Sequence, residues 1–371
     1  MEESKPSPFP PSASLSTLGE WLDLPTTTTT TTTINSSSSS SSSNLLLLQS
    51  LDPQQYVHDF WKNRTRPDGR LFSQSRPCKV VTGMLRPHSA GSALVTTTTT
   101  STINTTSTTT TTKVLAATTL HIGQPSPDRP DRGDIVVHVT GSGGHNIGTD
   151  FLGNKQQQQN WDVLQAWLQR TLEEEEEQQV EEDGNGGCAI PSRLKLWTGK
   201  AALRLVVTVH ILEDGGNIED AALLACMAAW KDTTPLPQLG KDLVPVPERG
   251  GALFWKNHEA YLEKRATATI TTEDCNNNNN DNNDRPPRAF RVSLTMGVWR
   301  DPQDQTTHLL VDPSLHEKQF VDGTLTMVVD TSSGRLQPQY TGKVPLTAND
   351  LALAAKLSQA RADELAAILL S

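Results

Sequence analysis

The chain has 371 residues, with 42 acidic and 32 basic side chains and a formal net charge of −10. A free-standing protein that binds the RNA backbone usually has a basic surface, because phosphate contacts supply its non-specific affinity. The net charge of −10 therefore argues against a protein that binds RNA on its own through an overall basic surface. Any RNA contact of the isolated chain would therefore be weak, and either local or shared with a more basic partner.

Simple-sequence tracts take up much of the length. They are Thr26–Thr33, Ser36–Ser43, Thr96–Thr112, Gln156–Gln159, Glu173–Glu177 and Asn276–Asn280. Such tracts have too few apolar side chains to offset the entropy that ordering costs. We predict a disordered Ser/Thr-rich tail over residues 1–50. One domain is predicted over 51–371, with disordered low-complexity insertions at 96–112, 155–187 and 272–287.

The cysteines and the N-terminus give no sign of a metal site or of secretion. Cys78, Cys188, Cys226 and Cys275 form no Cys-x-x-Cys pair, which argues against a zinc ribbon or a disulfide framework. No signal peptide is predicted, and the run Leu45–Leu48 is too short to cross a bilayer. We expect no metal, no cofactor and no membrane partner, in a reducing compartment such as the cytosol or nucleus.

The first half of the domain is predicted to contain a helix and several short strands. Tyr56, Val57, Phe60 and Trp61 recur at helical spacing behind a candidate N-cap, Asp52. The sequence Pro-Asp-Gly at 67–69 is typical of a turn. Strands are predicted at 79–81, 93–95, 113–119 and 134–139, with the Thr-rich tract as a disordered loop, and an amphipathic helix is predicted at 161–172.

The second half holds the clearest strand. Apolar residues alternate with others from Leu203 to Ile211, and a turn at 214–217 follows. Asp220 is a candidate cap for a buried helix at 221–231, and this order indicates a mixed α/β arrangement. Further strands are predicted at 290–296, 309–311, 325–329 and 335–340. A terminal helix is predicted to begin at a capping box formed by Thr347 and Asp350.

The familiar catalytic motifs are incomplete. The glycines from Gly141 to Gly148 have Thr149 where a phosphate loop needs lysine, and His316-Glu317 lacks the second histidine of a zinc site. The sequence has no Gly-x-Ser-x-Gly nucleophile elbow. Three aspartates at strand ends are expected to be solvated turn residues. They are Asp312, Asp322 and Asp330.

Five segments, in order along the chain, resemble the RNase PH-like subunits of the RNA exosome ring. They are Leu51–Tyr56 with Phe60 and Arg66–Arg70, Gly91–Val95, Gly199–Ile211, Gly216–Ala221, and His308–Pro313 with Asp322–Thr326. The resemblance implies an α/β (α+β) fold of RNase PH type, with mixed sheets packed against helices, similar to ribosomal protein S5 domain 2.

The resemblance also bears on chemistry. It implies that an active member has a Gly-Ser/Thr-Arg turn that clamps phosphate, and two aspartates six positions apart beyond the Val-Asp-Pro stretch. The matching positions are read as Asn217 and Ile218 in the turn, and as Gln319 and Thr324 for the aspartates. Neither set supplies the required charge, so no catalytic residue is predicted.

Three arginines are candidates for contacts with RNA or with partner subunits, although hydrogen bonds that support the fold are the favoured role. They are Arg66, Arg70 and Arg76. The resemblance further implies a six-membered ring with other RNase PH-like subunits, S1/KH cap subunits and catalytic nucleases, in the nucleus, nucleolus and cytoplasm. Three alternatives stay open: an active phosphorolytic 3′-to-5′ exoribonuclease, a sister subunit of the same ring, and an unrelated interaction module.

Overall fold

The computed structural model describes residues 51–86, 88–103, 106–141, 151–174, 190–237, 243–245, 253–255 and 290–370. The tail over 1–50, the acidic run from 175 to 187 and the insertion at 272–287 lie outside the described residues. Their predicted disorder therefore stays a prediction. The glycine-rich segment at 142–148, which lacks the lysine of a phosphate loop, also lies outside the described residues.

The larger sheet has six strands in the order β1-β2-β3-β6-β4, with β5 also pairing with β6. Its strands are β1 Cys78–Thr82, β2 Gly91–Ile103, β3 Thr106–Gly123, β4 Asp134–Gly141, β5 Lys195–Trp197 and β6 Ala201–Glu213. Every pair is antiparallel except β4 with β6. Leu203, Leu205, Val207, Val209 and Ile211 are all buried, which confirms the alternating strand predicted there.

Helix α4 packs on this sheet. The helices in this half of the chain are α1 Pro53–Lys62, α2 Phe151–Glu173, α3 Ile190–Arg193 and α4 Ile218–Thr233. All ten residues from Ala221 to Trp230 are buried, because the helix is apolar on every side and lies between both sheets. It approaches β2 so closely that a Cβ atom at Gly91 would collide with the backbone oxygen of Ala229.

Helix α2 covers the free edge of β4 with two glutamine side chains. Gln169 accepts a hydrogen bond from the Val137 amide at 2.8 Å and donates to the Ile135 carbonyl at 2.6 Å. Gln165 accepts from the Val139 amide at 3.2 Å. These bonds satisfy backbone groups that would otherwise offer a template for pairing with another strand.

A second sheet has four antiparallel strands in the order β10-β9-β11-β12. They are β9 Arg291–Arg300, β10 Thr307–Val311, β11 Gly323–Asp330 and β12 Leu336–Gly342, followed by the terminal helix α5 Ala348–Leu370. A 3-10 helix spans Glu317–Gln319, and β7 Leu243–Pro245 pairs with β8 Leu253–Trp255. The predicted capping box is confirmed, since the Asp350 amide donates to Thr347 Oγ1 and the Thr347 amide donates to Asp350 Oδ2.

The Thr-rich tract is not a disordered loop, so that prediction is wrong. Strands β2 and β3 pair without interruption from Gly91 with Thr118 to Ile103 with Thr106. Threonine is β-branched and favours the extended backbone, and here the tract continues a ladder that the buried ends of both strands already fix. Beyond the reach of β1 and β6, this part of the hairpin is a two-stranded ribbon.

The predicted start of the disordered insertion at 155–187 is also wrong, because residues 155–173 belong to helix α2. Helix α2 starts at Phe151 and includes Gln156–Gln159, ten residues before the predicted start at 161. Glutamine is a good helix former, and the apolar side chains that follow hold the helix on β4. Among the described residues, no helix is long and apolar enough to cross a membrane.

The close approach at Gly91 yields a stability prediction. We expect Gly91→Ala to lower the free energy of unfolding by about 1–3 kcal/mol, because the new methyl group must displace the backbone of α4. Urea denaturation followed by circular dichroism measures the change. Gly123→Ala is the matched control, since nothing lies within 4 Å of a Cβ atom there. Equal effects of the two substitutions would contradict the proposed packing.

Candidate functional site

Three segments meet at the end of the larger sheet where β6 ends. They are the turn Asp214–Asn217 after β6, the segment Asp312–Gln319 after β10, and the loop Arg66–Arg76. The Leu315 amide donates to the Gly215 carbonyl at 3.2 Å, and Thr112 Oγ1 on β3 donates to the Gly216 carbonyl at 2.8 Å. The segments therefore form one unit, which contains most of the positions singled out by the sequence.

The turn after β6 needs left-handed backbone conformations. Gly216 has φ of +99°, and a Cβ atom there would collide with the backbone of Ser314 and Leu315. Asn217 has φ of 53°, which asparagine tolerates better than most side chains. These conformations start α4 immediately beside the segment that follows β10.

Asp312 is the centre of the unit. Its carboxylate accepts from Arg76 Nε at 2.9 Å, from Arg76 Nη2 at 2.7 Å and from the Arg76 amide at 2.8 Å. It also accepts from Arg70 Nη1 at 3.3 Å and from Asn217 Nδ2 at 2.9 Å. Burial alone would raise the pKa of Asp312, but the hydrogen bonds and charge of Arg76, helped by Arg70, hold that pKa far below its usual range.

Arg66 forms a second buried ion pair in the same unit. Its guanidinium donates to both carboxylate oxygens of Glu317, to the Val311 carbonyl at 2.7 Å and to the Asp312 carbonyl at 3.0 Å. Burial tends to raise the pKa of Glu317, but the charge and hydrogen bonds of Arg66 outweigh burial and lower it. The loop that begins at Arg66 is thereby fixed to the end of β10.

The structure brings the three candidate arginines together and buries them. Arg66, Arg70 and Arg76 are only 1%, 6% and 1% exposed. Arg70 Nε donates to Asp68 at 2.7 Å, and Arg76 donates to the Gly215 carbonyl at 3.1 Å and to the Gly216 carbonyl at 2.8 Å. In this chain their guanidinium groups bind protein carboxylates and carbonyls.

The two turn positions have no group that could clamp phosphate. The side-chain amide of Asn217 donates to Asp220 at 2.7 Å and to Asp312 at 2.9 Å, so it binds carboxylates. Ile218 is half-buried and packs against the main core. An apolar side chain thus stands where the resemblance requires an arginine.

The two positions read as aspartates in active members hold uncharged side chains in this chain. Gln319 is exposed at the end of the 3-10 helix, and Thr324 lies in β11 opposite Gly297 and Thr341. They are five positions apart, so a pair of aspartates spaced by six cannot match both of them without a gap. The residue six before Thr324 is Lys318, whose ammonium binds Glu219 at 2.8 Å. Whether the pair is read as Gln319 and Thr324 or as Lys318 and Thr324, neither position has a carboxylate.

Asp220 has a role that the sequence does not reveal. The sequence predicts a helix cap at this position, but α4 begins at Ile218 and Asp220 points back toward β9. Its carboxylate accepts from Ser293 Oγ at 2.7 Å, from the Thr295 amide at 2.7 Å and from Thr295 Oγ1 at 2.8 Å. Desolvation raises the pKa of Asp220, and hydrogen bonds from Thr295, Ser293 and Asn217 act against this shift.

A small cavity of about 30 Å³ opens beside the turn. Two carboxylates and two guanidinium groups line it together with hydroxyl and apolar side chains; the charged residues are Asp220, Asp312, Arg76 and Arg361. Arg361 donates to the Arg76 carbonyl at 3.2 Å and to Glu364 at 2.6 Å. The lining has as many carboxylates as guanidinium groups, so it offers an anion no excess of positive charge.

The aspartates at strand ends differ from the prediction in two cases of three. Asp312 and Asp330 are buried, and Asp330 accepts hydrogen bonds from the turn that follows it, including one from the Ser332 amide at 2.8 Å. Only Asp322 is exposed. In the sequence, Glu317 stands out only as part of an incomplete zinc motif. The described residues contain no group of three or more side chains arranged to hold a metal.

Comparisons with known proteins agree with this architecture. Residues 74–234 match the family described as the 3′ exoribonuclease family, domain 1 (RNase PH). The chain is 22% identical over 307 residues to the exosome complex component Rrp42 of Thermoplasma acidophilum, covering 82% of this chain and 90% of that one. It is 23% identical over 312 residues to the protein of the same name from Methanosarcina mazei, covering 84% and 91%.

Solved structures show the same fold. A chain of the Archaeoglobus fulgidus exosome with RNA bound to the active site superposes with a TM-score of 0.53 at 22% identity, covering 86% of this chain and 98% of that one. A chain of an archaeal exosome core gives a TM-score of 0.53 at 21% identity, covering 89% and 100%. The predicted RNase PH-like α/β fold and the resemblance to exosome RNase PH-like subunits are confirmed.

The Asp312 cluster yields a second stability prediction. We expect Asp312→Ala to destabilise the chain by about 3–5 kcal/mol, because Arg76 would remain buried without its counter-charge. The measurement is the urea midpoint at pH 7. Asp363→Ala, an exposed change on α5, is the control and should move the midpoint little. A small effect of Asp312→Ala would show that the ion pair does not hold the three segments together.

Proposed function

We propose that this chain is a non-catalytic subunit of the RNA exosome core ring. It would support 3′-to-5′ RNA processing and degradation, in rRNA maturation and mRNA decay, as a scaffold and by helping to thread RNA. The observation that carries the proposal is the composition of the turn at the start of α4, where Asn217-Ile218 replaces a phosphate-clamping pair.

The electrostatics of the turn support the absence of phosphorolysis. An attacking phosphate needs cationic and hydroxyl donors that point into an open site. Here the nearest guanidinium, that of Arg76, is already bound to Asp312 and to two backbone carbonyls. The adjacent cavity is small, and the Asp220 and Asp312 carboxylates in its lining oppose the binding of an anion. Among the described side chains around this cavity, the two guanidinium groups, those of Arg76 and Arg361, already bind groups of the protein.

The comparisons support the exosome ring, and both relatives have the name of one of its members, Rrp42. Both relatives described above are named exosome components, and both cover most of this chain. The member that the sequence resembles is ribosomal-RNA-processing protein 43, and the sister proteins 42 and 45 are the alternatives. Within the proposal, the partners are other RNase PH-like subunits in a hexameric ring, S1/KH cap subunits and catalytic exosome nucleases. The proposed location is the nucleus, the nucleolus and the cytoplasm.

The first test is for phosphorolysis. We expect the purified chain to leave a 5′-labelled RNA intact in the presence of phosphate and magnesium and to release no nucleoside diphosphates. A catalytically active RNase PH serves as the positive control. Phosphate-dependent shortening of the RNA that is abolished in Asp312→Asn or Asp322→Asn would establish the alternative, an active exoribonuclease.

The second test is for assembly. We expect an affinity-tagged chain to co-purify with RNase PH-like subunits in a particle of the mass of a ring, identified by mass spectrometry and light scattering. The identity of its neighbours distinguishes between the sister subunits. Recovery of the chain alone, as a stable monomer, would favour the unrelated interaction module instead.

A further inference from the structure

A basic surface with an exposed tryptophan lies at the start of β6, at the opposite end of that strand from Asp312. It is formed by the loop at 128–133 and by the segment at 193–204. We call it the Trp197 surface and define it by Arg129, Lys195, Trp197 and Lys200. All four side chains are exposed.

Backbone hydrogen bonds hold the two parts of the Trp197 surface together. The Gly199 amide donates to the Pro130 carbonyl at 2.8 Å, and the Gly133 amide donates to the Pro191 carbonyl at 2.9 Å. Strand β5 pairs with β6 through Lys195 and Trp197. Arg129 and Lys200 therefore each lie one residue away from a direct backbone contact between the loop and the segment.

The local charge is opposite to that of the whole chain. Residues 128–134 and 193–204 contain six basic and three acidic side chains, whereas the chain carries −10. Two of the acidic groups are paired, Asp131 with Arg132 at 3.9 Å and Asp134 with Arg204 at 3.0 Å. The excess positive charge is thus concentrated near Trp197.

Trp197 and Lys200 form a combined aromatic and cationic contact. The Lys200 ammonium lies 3.9 Å from the centroid of the indole ring, and Trp197 is still 39% exposed. This cation–π contact holds a positive charge beside an aromatic surface. Surfaces that bind single-stranded nucleic acid combine these two features, with cations for phosphates and aromatic rings for stacked bases.

We infer that the Trp197 surface binds single-stranded RNA, with Lys195, Lys200 and Arg129 contacting phosphates and Trp197 stacking against a base. The inference rests on the proposed exosome function for the choice of RNA. It needs nothing from the Asp312 cluster, because β6 has 13 residues and spans about 40 Å at roughly 3.3 Å per residue. RNA contact on an acidic chain would then be local.

The test compares two double charge reversals in the full-length chain, purified with the subunits it retains. Lys195→Glu with Lys200→Glu alters the Trp197 surface. Lys343→Glu with Lys356→Glu changes the net charge equally at exposed lysines elsewhere. Binding of a fluorescein-labelled 20-nucleotide RNA of mixed sequence is measured by fluorescence anisotropy at several salt concentrations, and thermal unfolding shows whether each variant is folded.

We expect the first variant to bind RNA at least tenfold more weakly, while the control variant stays within about two- to threefold of the parent. The salt dependence should also become shallower, by roughly 0.7 in log–log slope for each RNA phosphate that the surface no longer neutralises. Trp197→Ala should weaken binding several-fold without changing that slope. Equal weakening in the two double variants, or no weakening in the first, would overturn the inference.

Subunit composition separates this inference from the proposed function. Abolished RNA binding with unchanged co-purifying subunits supports an RNA surface. Absence of a subunit from the Lys195→Glu/Lys200→Glu sample, with RNA binding retained by the free chain, overturns the inference in favour of an acidic protein partner. If the parent chain retains no ring subunits, the proposed function fails, and the comparison of RNA affinities still decides the role of the Trp197 surface.

Discussion

The buried ion pair between Asp312 and Arg76 is the interaction on which the rest of this structure depends. A carboxylate this deeply buried costs several kcal/mol unless it is fully paired, and Arg76 supplies three hydrogen bonds to it. The same guanidinium also binds the carbonyls of Gly215 and Gly216. The Arg76 side chain therefore neutralises the Asp312 carboxylate, which follows β10, and also fixes the turn after β6.

This arrangement shows what the arginines near the turn do in an RNase PH-like fold. The arginines near the turn are committed to internal carboxylates, Arg76 to Asp312 and Arg66 to Glu317. Releasing either one for an external anion would leave a buried negative charge unpaired. The side-chain amide of Asn217 also donates to two carboxylates, those of Asp220 and Asp312. These contacts are the physical basis of the proposed lack of phosphorolysis.

Sequence patterns predict the elements whose signal is local. The alternation in β6, the apolar run of α4 and the capping box of α5 each depend on neighbours within a few positions. The role of Arg76 cannot be found in this way, since its partner Asp312 is 236 positions away. The prediction for the Thr-rich tract is wrong because composition does not reveal the ladder that the tract extends. The role of Asp220 is hidden because three of its hydrogen-bond donors lie on β9, about 75 positions later.

The two ends of β6 differ in electrostatic character, and this difference follows from what each end must do for the fold. At the Glu213 end, the carboxylates of Asp220 and Asp312 lie beside the turn. The Arg76 guanidinium there binds Asp312 and is not available at the surface. At the Ala201 end, β5 and the loop at 128–133 are held by backbone hydrogen bonds, which need no side-chain charge. Basic side chains at that end are consequently left at the surface. An acidic chain can in this way keep a cationic surface at one end of β6, while the Arg76 guanidinium at the other end is bound to a carboxylate and to carbonyls of the protein.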